Sequence, residues 1–202
     1  ILFNLNDDIL TQETKENFIN QVMEKEDPIY LKFHGGGFFA ELRTVFNYKG
    51  KDQNLILFLS LQEEKVGSKW VISNIYFQPF KDVLKHPDTN KYNDSQFIHP
   101  LSHELGFMNL FRVFYNADSL EMYTKRGFEP DYLSIFMFEV KSKRMKFKTV
   151  SNLKFHFFQV DGWYFELSYF NREGYNTGWL ISNLIEVSGK DMQLLMKYIY
   201  HE

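Results

Sequence analysis

Trp70-Val71-Ile72-Ser73-Asn74-Ile75 and Trp179-Leu180-Ile181-Ser182-Asn183-Leu184 are one pattern written twice, and the reading of the chain starts from them. Ten residues before Trp70 stands Ser60, within Phe58-Leu59-Ser60-Leu61; eleven before Trp179 stands Ser168, within Glu166-Leu167-Ser168-Tyr169. Turn-like stretches at 65–69 and 174–178 fill the gaps. Leu55, Leu57, Leu59 and Leu61 alternate along one strand face, and Trp163, Phe165, Leu167 and Tyr169 hold the matching places. Apolarity with a period of two is what a strand with one buried face requires. The pattern predicts two copies of one small hairpin-bearing unit. Upstream, Asp27-Pro28-Ile29-Tyr30-Leu31 echoes Glu129-Pro130-Asp131-Tyr132-Leu133.

Outward from these hairpins, each half begins with helix. Thr11 suits a helix N-cap, Glu13 lies in the first turn, and Phe18, Ile19, Val22 and Met23 share a helical face before Asp27-Pro28 stops it. In the second half Ser102 caps a helix carrying Leu105, Met108 and Phe111, and Asp118 with Glu121 reads as a capping box for a short helix ending at Gly127. Strands are expected near 29–34, 39–48, 54–64 and 70–78, and near 132–140, 145–150, 152–160, 163–171 and 179–187. A short helix is expected at 80–86 and a last one at 190–200, capped by Ser188. The domain boundaries that follow are 1–86, a polar linker at 87–99, and 100–202. The fold class is α+β, with two tandem units, each a curved, mostly antiparallel sheet packed on an N-terminal helix or helices.

Aromatics make up 18% of the 202 residues, with 22 Phe and 12 Tyr, which lets small domains bury much area per residue. The net charge is −3 and no basic face dominates, so nucleic acid is not an expected partner. The run Lys141, Lys143, Arg144, Lys146 and Lys148 alternates with apolar residues, as a solvated hairpin does. With no cysteine, disulfides, thiol nucleophiles and Cys-ligated metals are excluded. No apolar run approaches the ~20 residues of a transmembrane span. The chain opens at Ile1 and not at Met, as it would after removal of a signal segment or other upstream sequence.

The order of helix followed by a meander of long strands, with a Trp-led closing strand after a polar turn, resembles the NTF2-like (cystatin-like) superfamily. The residues that carry the resemblance are the two Trp-led runs at 70–75 and 179–184. It implies a curved sheet wrapped on a helix in each half, in a superfamily that spans small isomerases, dehydratases and non-catalytic modules of exported proteins. No catalytic set of that superfamily maps onto positions here.

Motifs with chemical meaning are few. His34-Gly35-Gly36-Gly37 resembles the oxyanion-hole loop of some esterases, but no Gly-x-Ser-x-Gly nucleophile elbow accompanies it, which leaves a turn or bulge as its reading. His99 and His103 stand four apart, yet Pro100 and Ser102 intervene and the order is not His-Glu-x-x-His, so no metal site is expected. His156 lies mid-strand and faces opposite to Phe155 and Phe157; Arg43 shares a strand face with Glu41. Arg43, Tyr132 and His156 are the candidate polar pocket residues. Asn74 and Asn183 recur in the repeat and are read as structural, pinning a bulge or loop.

The expected function is a non-enzymatic module of an exported bacterial protein, in the cell envelope (as a lipoprotein or periplasmic protein) or secreted, binding a small ligand or a partner protein without a cofactor. Two rivals remain: a small-molecule enzyme of isomerase or dehydratase type with an enclosed pocket in one unit, and a structural assembly subunit.

Overall fold

A computed structural model describes residues 2–6, 10–34, 36–84, 114, 120, 123–125 and 130–201. The chain is α+β: helices α1 (Gln12–Val22), α2 (Gln78–Val83), α3 (Tyr132–Lys141) and α4 (Gly189–Tyr200) accompany strands β1 (Phe38–Tyr48), β2 (Lys51–Glu64), β3 (Gly67–Tyr76), β4 (Met145–Phe157), β5 (Trp163–Phe170) and β6 (Gly178–Glu186). It divides into two compact units, Ile1–Tyr76 with Leu133–Glu202, and Phe77–Tyr132. In the second, α2 begins with Pro79 in its first turn, and Phe80 packs edge-on against Phe77 at 4.9 Å.

The first unit is built on one antiparallel sheet in the order β3-β2-β1-β4-β5-β6. Two three-stranded meanders therefore meet at β1·β4. The expectation of a separate sheet for each half is corrected here, because β1 and β4 pair along their length instead of standing as edges. The ladder is symmetric about Ala40 and Phe155: they face each other, with Leu59 opposite Ala40 on β2 and Leu167 opposite Phe155 on β5.

The two hairpins that end the meanders share a register. Leu61 faces Trp70 and Leu59 faces Ile72 in one; Tyr169 faces Trp179 and Leu167 faces Ile181 in the other. Both then skip one residue, Ser73 and Ser182, before Asn74 meets Phe58 and Asn183 meets Glu166. A skipped residue is a β-bulge, which adds local twist and bends the strand. Each skipped serine donates its hydroxyl to the carbonyl across from it, Ser73 to Phe58 at 3.1 Å and Ser182 to Glu166 at 3.3 Å. The β1·β4 ladder skips Ser151 in the same manner, between Val150 and Asn152, and Ser151 donates to the Arg43 carbonyl at 3.0 Å.

Phe165 and Leu57 are buried on one sheet face, as the alternation predicts. Phe18 of α1 enters it, edge-on to Trp163 at 5.4 Å and Phe165 at 5.6 Å, with Phe3, Leu10, Ile181 and Leu184 around it. Thr11 caps α1 as expected, accepting from the Thr14 N–H at 3.2 Å. Only part of the predicted apolar helix face is covered, since Ile19 and Met23 are exposed. On the opposite sheet face α4 lies over Phe39, Phe58 and Tyr164 through Ile199, Met192, Leu195 and Tyr200.

Three sequence expectations fail. Residues 29–34 form no strand but an irregular strap into β1, held from the side by Gln159, which donates to the Lys32 carbonyl at 2.7 Å and accepts from the Lys32 N–H at 3.0 Å. Residues 132–140 are helix and not strand: their burial falls at Tyr132, Leu133, Ile135, Phe136 and Glu139, which includes the i, i+3, i+4, i+7 spacing of a helix face, with Phe136 packed edge-on to Phe46 at 5.5 Å. The echo between 27–31 and 129–133 therefore ends at Tyr132 and Leu133, which are helical where Tyr30 and Leu31 are irregular. The strands expected at 145–150 and 152–160 are one strand, β4, bulged at Ser151. His99, His103 and, apart from residues 114, 120 and 123–125, the helices expected from Ser102 and from Asp118 lie outside the described residues.

Candidate functional site

Two features of the sheet carry functional chemistry, one on each face. On the α4 face, period two places Glu41 and Arg43 of β1, Lys154 and His156 of β4, and Tyr164, Glu166 and Ser168 of β5 side by side. The Arg43 guanidinium donates through Nε to Glu41 at 3.0 Å. The other Glu41 oxygen lies 3.0 Å from His156 Nε2, and His156 Nδ1 lies 2.8 Å from the Tyr164 hydroxyl.

Burial alone would raise the Glu41 carboxyl, but hydrogen bonds and charge from His156 and Arg43 outweigh it and carry it down to about 2. Glu41 is therefore a carboxylate that only accepts, which makes His156 Nε2 a donor. Burial, with the Glu166 and Glu41 carboxylates nearby, raises the Tyr164 phenol, so it keeps its proton. Tyr164, His156 and Glu41 thus stand in line, with Arg43 bracing the far end. A second group continues beside it: Lys154 reaches Glu166 at 3.0 Å, and Ser182 donates to the same carboxylate oxygen at 2.7 Å.

A hydroxyl, an imidazole and a carboxylate in line can relay a proton. Here His156 and Tyr164 are each 2% exposed, beneath the α4 cluster, with Phe39 stacked on the His156 ring at 4.8 Å. The relay is fully bonded and closed to substrate from the solvent side. Of the sequence candidates, Arg43 and His156 come together through Glu41; Tyr132, the first residue of α3, falls in the other compact unit and is not a member of this group. Tyr164, the third member, was not singled out from the sequence. The signal available was that Glu41 shares its strand face with Phe39 and His156 with Phe158, so that each, once buried, demands partners.

The Gly-rich loop is a turn. Gly36 and Gly37 hold positive φ of 67° and 68°, and the Gly37 carbonyl accepts from the Phe158 N–H at 2.7 Å; Gly35 lies outside the described residues. His34 does meet a serine and a carboxylate, Ser68 at 3.0 Å and Glu63 at 3.7 Å, but both approach the same ring nitrogen, Nδ1. A Ser–His–carboxylate relay needs them on opposite nitrogens. Among the described residues no group of three or more His, Asp or Glu is placed to hold a metal ion. No helix among them is long and apolar enough to cross a membrane.

The opposite face is aromatic and partly open. Trp70 on edge strand β3 and Trp179 on edge strand β6 both reach Phe155 on β4, with ring centroids 6.0 Å and 5.2 Å apart. β3 and β4 are three strand spacings apart, about 14 Å in a flat sheet, so the sheet curls toward this face to bring the rings together. The small side chain of Ala40 opposite Phe155 leaves the space that Phe155 and Trp70 share. Phe38 joins Trp70 at 5.8 Å and stacks on Phe157 at 5.4 Å; Phe157 stacks on Phe165 at 4.8 Å. This row runs to an apolar cleft of about 170 Å³ lined by Leu2, Phe18, Val22, Ile29, Leu31, Val160, Phe165, Leu167 and Ile181. Trp70 is 38% exposed and Trp179 43%. No family model, curated protein or solved structure matches the chain, so the aromatic row and its cleft are the ground for a functional reading.

Proposed function

We infer that the chain is a non-enzymatic binding module whose ligand is an elongated apolar small molecule, laid along the row from Trp70 past Phe155 and ending in the cleft beside Phe18. The observation that carries this is the convergence of two part-exposed indoles on one phenyl ring. Large apolar side chains exposed together, beside an apolar cleft, are the mark of a binding surface. We also read the two meanders as copies of one unit; the shared register and the serine bulges support this. The NTF2-like resemblance rests on the residue pattern, the Trp-led closing strands after polar turns.

Titration with dodecanoate, followed by tryptophan emission, tests the binding reading. Saturable blue-shifted emission in the intact chain is expected, with the half-saturation point raised at least about tenfold in Trp70→Ala/Trp179→Ala. An unchanged emission, or equal binding by the double variant, overturns it. An acid–base enzyme is the rival, favoured by the Tyr164–His156–Glu41 relay alone; its prediction is small-molecule turnover that His156→Gln abolishes.

A further inference from the structure

We propose that the outer edge of β3, centred on Ile72, receives an extended strand from a partner polypeptide, running parallel to β3. The argument rests on the backbone and is independent of the small-molecule site. The sheet has two edges, β3 and β6. The β6 edge is already occupied in this manner by the chain itself. The Ile181 N–H donates to the Leu2 carbonyl at 2.8 Å, the Asn4 N–H donates to the Ile181 carbonyl at 2.9 Å, and Phe3 forms a parallel bridge with Ile181.

Ile72 holds the place of Ile181. It faces Leu59 as Ile181 faces Leu167, and each is followed by the skipped serine. The same register turns the Ile72 N–H and C=O away from β2, toward the open side. Yet Ile181 is 1% exposed and Ile72 is 39%. Among the described residues no strand pairs with β3 on that side. An unpaired edge is ordinarily blunted by Lys, Pro or an inward charge. The stretch Trp70-Val71-Ile72-Ser73-Asn74-Ile75 has none of these. Lys69, just before it, is engaged by Glu64 at 2.7 Å.

The two edges differ in what grips the incoming segment. On the β6 side Arg172 donates to the Asn4 side chain at 2.8 Å and Asn176 donates to the Phe3 carbonyl at 2.8 Å, both from the β5–β6 loop. The β2–β3 turn at Lys65 and Val66 is too short to carry such a bracket. The β3 edge therefore offers main-chain pairing and the flank of Trp70, which suits an uncharged strand with an aromatic or aliphatic side chain opposite Ile72, as Phe3 lies opposite Ile181.

Hydrogen exchange on the full chain tests this, with acetyl-Leu-Phe-Asn-Leu-amide, the sequence that occupies the β6 edge, as the probe. In the free protein the amides of 70–73 are expected to exchange about tenfold or more faster than those of 179–182. Millimolar peptide slows 70–73, and Ile72→Pro removes that effect while leaving the β6 amides unchanged; Ile72→Lys serves if the proline variant does not fold. Amides at 70–73 already as slow as at 179–182 overturn the proposal, because the edge is then covered by the chain itself. Absence of slowing at saturating peptide, or equal slowing in the variants, also overturns it. Protection that rises with protein concentration alone assigns the edge to a second copy and overturns the partner strand.

Discussion

Ser151 is one of two residues that the β1·β4 ladder skips, Lys148 being the other, and its hydroxyl returns to the carbonyl of Arg43 at 3.0 Å. Ser73 and Ser182 do the same in the outer hairpins. In all three places the next residue is asparagine, and it faces the residue whose carbonyl accepts the serine. The sequences are Ile72-Ser73-Asn74-Ile75, Val150-Ser151-Asn152-Leu153 and Ile181-Ser182-Asn183-Leu184. A bulge leaves a carbonyl without a ladder partner, and a short hydroxyl side chain at the skipped position supplies one.

Serine-to-alanine substitutions at the three bulges should be unequal. Ser73→Ala and Ser151→Ala remove one neutral bond each, part-buried at Ser73 and exposed at Ser151, and should cost about 0.5–1.5 kcal/mol. Ser182→Ala also frees the buried Glu166 carboxylate, which it reaches at 2.7 Å, and should cost about 1.5–3 kcal/mol. Ser73 and Ser182 lie in different hairpins, so their double variant should be additive within about 0.5 kcal/mol. Urea unfolding midpoints at pH 7 measure all of these.

Acid should expose the Glu41–His156 bond. The Glu41 carboxyl is lowered from 4.5 to about 2, so it binds a proton more weakly folded than unfolded. Its contribution is complete above pH 4.5 and is lost as the pH falls through the window from 4.5 to 2. The loss should be on the order of 3 kcal/mol. Unfolding free energy measured across that window should fall less steeply in Glu41→Gln, which should also be less stable than the parent at pH 7.

Gln159→Ala should loosen the strap before β1 and little else. Its amide bonds the Lys32 N–H, the Lys32 carbonyl and the Gly36 carbonyl. All three are exposed bonds, so the global cost should stay near ~1 kcal/mol, while amide exchange and proteolytic cutting at 30–37 rise.

Ala40→Phe would place like residues at the point about which the ladder is symmetric, and it should be destabilising. Ala40 is buried, and the space above it is filled by Phe155 and Trp70. Overpacking there should cost about 1–3 kcal/mol and displace the Trp70 indole. A lowered urea midpoint with a red-shifted emission is the expected pair of changes.

The strands at Leu55 to Leu61 and Trp163 to Tyr169 were legible because apolar side chains recur along one face with period two; that Phe58, Tyr164 and Glu166 are buried on the other face as well was not. The segment at 132–140 misled because a short aromatic and β-branched run carries both periods, and its packing partner Phe46 lies far away in sequence. The break expected between 150 and 152 fell on a real irregularity, but one that the opposite strand accommodates. The third Ser-Asn pair was present there to be read. Of the polar residues, Arg43 and His156 were singled out by their strand faces, as residues of a pocket. Their common partner role for Glu41, and the membership of Tyr164, depend on which strands lie side by side, and that is set by pairing across more than 100 residues.

The anchoring of the first residues onto the last strand has a consequence for synthesis on the ribosome. Leu2 and Asn4 pair with Ile181, and Phe18 packs on Trp163 and Phe165. β1 to β3 can close on themselves early, but these opening residues have nothing to dock on until Ile181 has been translated. At ordinary elongation speeds that is an interval of roughly 10–30 s. During it an apolar amphipathic segment protrudes from the nascent chain, and a holding chaperone that recognises Phe3, Leu10 and Phe18 would keep it from premature association.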